Sequence, residues 1–134
     1  MLRSTIKAHM DDALNEGKYR FKQLQEMDDK VHWGELVALI EPYYLAANIG
    51  RDLISTESMI RIYFLQLRYK MSASEIDEAL FQIDALRDFA KIKIDAGVIP
   101  HESCIDLFKQ LIIDNGLKPQ INNAFALQPL LENT

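Results

Sequence analysis

The chain has 134 residues, 49% of them hydrophobic, and a formal net charge of −5. That length suits one domain and permits a core without a disulfide or a metal, and the single cysteine, Cys104, excludes an intramolecular disulfide and fits a reducing compartment. The acidic balance argues against a sequence-indifferent nucleic-acid binder, which gains affinity from surplus Lys and Arg. No apolar run approaches the roughly 20 residues of a membrane span, and Met1 to Gly17 lacks a secretory signal, so a cytoplasmic protein is expected.

Gly and Pro are scarce and the apolar pattern mostly recurs at helical spacing. This predicts an all-α fold, a compact multi-helix domain of about six or seven helices. A first helix is predicted over 3–15, with Leu2, Ile6, Met10 and Ala13 as its stripe and Gly17 after it. A polar stretch follows, anchored by Tyr19, Phe21 and Leu24. A second helix is expected from an N-cap at Asp29, with Trp33, Leu36, Val37 and Ile40 on one face. Pro42 should limit it, leaving Tyr43 to Asp52 as a loop. A third helix, from Ser55 to about Lys70, is apolar nearly all round and so belongs at the centre of the core. Its Arg61 and Arg68 are seven apart and share one face.

Ser72-Ala73-Ser74-Glu75 reads as a capping box opening a fourth helix, with Ile76, Ala79, Leu80 and Ile83 inward. The short link to the third helix predicts a helix-turn-helix-like unit. A short fifth helix is predicted over 85–90, and Lys91 to Asp95 alternates as an extended segment would. A sixth helix, roughly 102–114, follows Pro100, with Ile105, Phe108, Leu111 and Ile112 inward and Asn115-Gly116 as its stop. A last helix is predicted over about 118–127.

Little in the sequence carries chemistry. His101 and Cys104 are three apart, but no second pair completes a four-ligand zinc site, so a capping or surface His101 and a core Cys104 are expected. Glu102 and Asp106 flank Cys104 and disfavour a thiolate nucleophile. Asp11-Asp12 and Asp28-Asp29 are sequence neighbours, which point about 100° apart on a helix and share no site. There is no phosphate-cradling glycine loop. No metal and no cofactor are expected. Trp33 reads as core, while Tyr43 and Tyr44 follow an expected helix end and are open to either role. Residues 1–70 carry ten basic and ten acidic groups, and 71–134 carry five and ten, so any anion-binding face should lie in the first half. Arg51, Arg61, Arg68 and Lys70 are its best phosphate candidates.

From about Val31 the chain resembles a known family. The stretch Trp33-Gly34-Glu35-Leu36-Val37-Ala38-Leu39-Ile40-Glu41-Pro42-Tyr43-Tyr44 is followed in order by Gly50-Arg51 and by Glu57 to Gln66. Then come Arg68-Tyr69, Ser72 and Ser74, Asp77 to Leu80, Ala85 to Ala90, Ile99-Pro100 and Ile105 to Phe108. This order and spacing is similar to the N-terminal domain of bacterial insertion-sequence family five transposases, over roughly residues 31–122. The resemblance implies a helical domain that helps bind transposon ends, ahead of a ribonuclease-H-like domain whose Asp-Asp-Glu triad holds divalent metal for strand transfer. It divides the chain into an N-terminal helical extension (1–27), the transposase-like domain (28–122) and a divergent tail (123–134). With the chain ending at Thr134, the triad is expected to be absent, so the chain should not be an enzyme.

Three departures stand out. Asp52 and Leu53 replace a second basic residue and a proline. The helix after Pro100 keeps only Lys109 as a positive charge, with Asp106 and Gln110 beside it. Residues 123–134 do not continue the family pattern. The first expectation for function is a truncated module that recognises insertion-sequence terminal repeats through Arg51, Arg61, Arg68, Lys70, Ser72, Ser74 and Lys109, without catalysing transposition. The alternative is a protein-interaction module with weakened DNA binding, which pairs with an intact transposase or inhibits another protein. A homodimer is expected in either case.

Overall fold

The computed structural model describes residues 18–49, 54–92 and 99–124, with side chains from Leu24 onward. Six helices carry the fold: α1 (Lys18–Lys30), α2 (Trp33–Ala47), α3 (Thr56–Tyr69), α4 (Ala73–Gln82), α5 (Asp84–Ala90) and α6 (Glu102–Asp114). Residues 118–124 are also helical, and no described residue is in a strand. The all-α expectation is therefore correct. None of the described helices is long and apolar enough to cross a membrane. The helix expected over 3–15 lies outside the described residues.

The expected polar link after Gly17 is corrected: it is α1. Leu24, Met27 and Val31 recur at spacings of three and four and are all buried. Asp29 lies inside α1, so it is not the N-cap of α2. That position belongs to His32, whose side chain makes no capping bond. The Trp33 indole holds the corner instead, donating from Nε1 to the Asp28 carbonyl at 2.9 Å.

The expected end of α2 is also corrected. The helix passes through Pro42 to Ala47 and closes on Asn48, a left-handed residue at φ 53°. Proline lacks the N–H that would reach the Ala38 carbonyl. Ala38 and Pro42 are both exposed, so water satisfies that carbonyl and the pyrrolidine ring stays off the core. Tyr44 fixes the extra turn from inside. It is buried, its hydroxyl donates to the Ile54 carbonyl at 2.8 Å, and its ring meets Phe108 edge-on at 5.7 Å.

α3 is central, as its all-round apolar pattern predicts, and packs against α2, α4, α5 and α6. Ser55 caps it by accepting from the Ser58 amide at 3.1 Å. Met59, Ile60, Ile62, Phe64 and Leu65 are essentially inaccessible. Each such side chain contributes roughly 1.5–3 kcal/mol by leaving water. The capping box of α4 forms as expected: Ser72 Oγ accepts from the Glu75 amide and Glu75 Oε1 accepts from the Ser72 amide. Arg87 in α5 donates to the Leu80 and Phe81 carbonyls at 2.8 and 2.7 Å, satisfying the C-terminal end of α4. Lys91 is the left-handed cap of α5 rather than the start of an extended run. Residues 93–95 of that expected segment lie outside the described residues. α6 keeps its expected bounds and inward face, and Gly116 ends it at φ 66°.

Candidate nucleic-acid interface

Seven residues carry the expected DNA contacts. Arg51 lies outside the described residues. Arg61 is 1% exposed. Its Nη2 meets Asp28 Oδ1 at 2.7 Å, its Nε donates to Glu57 Oε2 at 2.8 Å, and its Nη1 donates to the Phe89 carbonyl at 3.0 Å. The guanidinium carbon sits 4.2 Å from the Trp33 ring centroid and 5.2 Å from that of Phe89. A group so enclosed cannot reach a phosphate. Arg61 ties α1, α2, α3 and α5 together, and the expectation that it contacts DNA is withdrawn. Burial raises the pKa of Glu57, but the hydrogen bonds from Lys91 and Arg61, with their charges, outweigh it and bring the carboxyl below its ordinary value. Lys91 Nζ lies 3.0 Å from the same Glu57 Oε2.

One turn or two further along α3 the setting opens. Arg68 is half-buried, with its guanidinium carbon 5.8 Å from the Tyr69 ring centroid. Lys70 ends α3 as an exposed residue in the left-handed region, at φ 54°. Ser72 and Ser74 are exposed at the first turn of α4, where backbone N–H groups and the helix dipole favour an anion. Ser72 is also the cap of that helix, so its oxygen is already an acceptor for Glu75. Lys109 is exposed on α6.

Lys70 and Lys109 share a cavity. It has a volume of about 240 Å³ and is floored by Tyr63, Gln66, Leu67 and Met71. Neither forms an ion pair with a described residue. Gln66 donates from Nε2 to the Met71 carbonyl at 3.3 Å. Burial pushes the Tyr63 hydroxyl above its ordinary pKa, so it stays a neutral phenol at physiological pH. Tyr63 and Gln66 are absent from the expected set. They stand seven and four residues before Lys70, on the same helical face, and that spacing is the signal by which they were legible.

His101 is an exposed cap: its Nδ1 accepts from the Ser103 amide at 3.1 Å. Cys104 is half-buried and directs its thiol at the Ile49 carbonyl at 3.7 Å. Nearby Asp77 has its pKa raised by burial, which outweighs a hydrogen bond from the Glu102 backbone and the charge of His101. No group of three or more His, Cys, Asp or Glu side chains is placed to hold a metal among the described residues.

The model of the family described as Transposase domain (DUF772) matches residues 9–111. The chain belongs to this transposase family. The match takes in all of α1 to α5 and most of α6, so the helical core and the Lys70–Lys109 cavity are parts of the transposase domain itself. It also begins well before the stretch in which the sequence alone is recognisable, in keeping with Leu24 and Met27 sharing one core with α3. No solved structure matches the chain.

Proposed function

We propose that this transposase domain is a DNA-recognition module for the terminal repeats of an insertion sequence of family-five type. In this reading it recognises the ends and leaves strand cleavage and transfer to other residues than its own. The observation that carries the reading is the convergence of Lys70 and Lys109, both exposed and with no ion pair to a described residue, on one cavity beside the first turn of α4. Lysines from two helices and the N-terminus of a third make a phosphate-binding corner. α3, the turn at 70–72 and α4 act as the helix-turn-helix-like unit, and Arg68, Ser72 and Ser74 lie along its solvent edge. Arg51 belongs to the expected set as a basic residue of the first half of the chain and as part of the Gly50-Arg51 match to the family.

The test is a salt-titrated mobility shift with terminal-repeat DNA and a scrambled control. Each lysine that neutralises one phosphate steepens the dependence of log affinity on log salt by about 0.9. Lys70→Gly is the most informative variant. It removes the cation and also relieves the left-handed strain of a non-glycine residue, worth ~1 kcal/mol. Affinity and salt slope should fall while the stability rises. Unchanged affinity and slope in both Lys70→Gly and Lys109→Ala would remove this corner from the interface.

A second reading is a protein-interaction module with weakened DNA binding, acting on an intact transposase. It is favoured by exposed Asp106, one turn before Lys109 on α6, which opposes a phosphate at the same place. Co-purification with the full-length transposase at micromolar concentrations, together with no mobility shift at low salt, would favour it over the first.

A further inference from the structure

α2 presents Glu35, Leu39, Tyr43 and Ala46 along one side, at spacings of four, four and three. That stripe forms one wall of two hollows. At the start of α2, Leu36 and Leu39 with Glu35 face Asn123 and Ala124 across a cavity of about 370 Å³. At its end, Pro42, Tyr43 and Ala46 face Leu107 and Leu111 of α6 across an open groove of about 980 Å³. Tyr43 is 41% exposed and Leu107 54% exposed, although both are large and apolar. Among the described residues of the groove lining, Asp114 is the one with a formal charge. On a chain of net charge −5, so large a nearly uncharged and apolar hollow suits an apolar occupant.

We propose that this occupant is residues 125–134 of the same chain, laid along α2 from the small hollow into the large one. Three observations select them. First, Ala124, the residue just before them, already lines the small hollow against the α2 stripe. Second, the segment is apolar: Phe125, Leu127, Leu130 and Leu131 stand in it, and Glu132 is its one charge. Third, the reach is ample. Leu39 to Ala46 spans seven residues of helix, about 10 Å at 1.5 Å per residue, and an extended chain covers that in three or four residues at roughly 3.3 Å each. Pro129 cannot sit inside a continuing helix without loss of a hydrogen bond, and Gln128 before it favours extended backbone, so the strand-like path suits the sequence. The stretch that departs from the family pattern thus has a role: it covers an apolar face of this transposase domain. The proposal is independent of DNA binding, which is assigned to a different face.

The test uses the full chain in a Cys104→Ser background. Leu107→Cys is combined in turn with Leu127→Cys, Leu130→Cys and Leu131→Cys under mild oxidation. A disulfide needs Cα atoms within about 7 Å, so closure reports docking. At least one pair should close within the monomer, at a rate independent of protein concentration, and faster than the same tail cysteine paired with Phe81→Cys, an exposed residue outside the groove. Closure between chains that rises with concentration would mean that a second copy fills the groove and would overturn the proposal. Equal rates with Leu107→Cys and Phe81→Cys would overturn it too, as the tail would then have no preferred seat. As a second measurement, the double variant Leu130→Ser, Leu131→Ser should bind an apolar dye several-fold more strongly than the parent chain while still folded at the assay temperature, and its Tm should fall because the apolar contacts of the tail with the groove are lost. No increase would count against tail docking.

Discussion

Arg61 shows why residue type alone misassigns a surface. An arginine on a helix that is otherwise apolar nearly all round reads as a phosphate contact, but three of its nitrogens are engaged inside the fold and two aromatic rings flank it. Removing one partner of a buried charged cluster costs roughly 3–5 kcal/mol, and the half-exposed Asp28 places this case near the lower bound. Arg61→Ala should therefore lose about 3 kcal/mol in a urea titration, with the folded protein keeping its DNA affinity. A loss of affinity at unchanged stability would return Arg61 to the interface. Beyond Glu57, the partners of Arg61 come from residues 28 and 89, far away in sequence, so the cluster that holds it was not legible locally.

Two carboxylates respond to pH with opposite signs. The Glu57 carboxyl is held below its ordinary 4.5, so its contribution to stability is present above that value and is lost as pH falls through the lower folded value. The Asp77 carboxyl is raised above 3.8, so the folded state holds its proton more tightly and stability is lost as pH rises from 3.8 through the folded value. Asp77→Asn removes that loss. The variant should be more stable than the parent at neutral pH, and the difference should shrink as pH drops below 3.8 in a series of thermal melts.

At the scale of elements, what was legible is what is encoded within one turn. The capping box at Ser72 and Glu75 and the Ile105–Phe108–Ile112 stripe depend on residues three or four apart, and they form as read. α1 was missed because its apolar anchors Leu24, Met27 and Val31 are diluted by Lys, Gln, Glu and Asp, and only tertiary burial makes them a stripe. The full length of α2 was missed because Pro42 is a local stop whose cost depends on whether water reaches the Ala38 carbonyl. Tyr44 and its bond to Ile54 then outweigh that cost. Pro42→Ala restores the missing N–H to a helix already formed, and should stabilise the domain by up to ~3 kcal/mol, reduced by the entropy that proline removes from the unfolded chain. A denaturant midpoint that falls in this variant would mean that the ring itself holds the groove wall.

For the molecule as a whole, the candidate site was half legible. Lys70 and Lys109 were both named from sequence, yet that they line one cavity between α3 and α6 is a property of the packed fold, and so is the burial of Arg61 away from that surface. The resulting cationic corner is small on a chain of net charge −5. In the proposed DNA-binding role its pull on a phosphate would be opposed by neighbouring acids, among them Asp106, exposed one turn from Lys109 on α6. Two such charges near a surface interact by roughly 0.5–1 kcal/mol, and the effect fades once the Debye length drops below their distance from the phosphate, ~10 Å at 0.1 M salt. Asp106→Asn should therefore tighten terminal-repeat binding about 2–5-fold at low salt, with the two curves converging as salt rises. Fluorescence anisotropy over a salt series checks this. Convergence identifies a steering effect of the whole charge distribution, whereas a salt-independent gain would mean that Asp106 contacts the DNA directly, and an absence of any gain would place the DNA on a different face from α6.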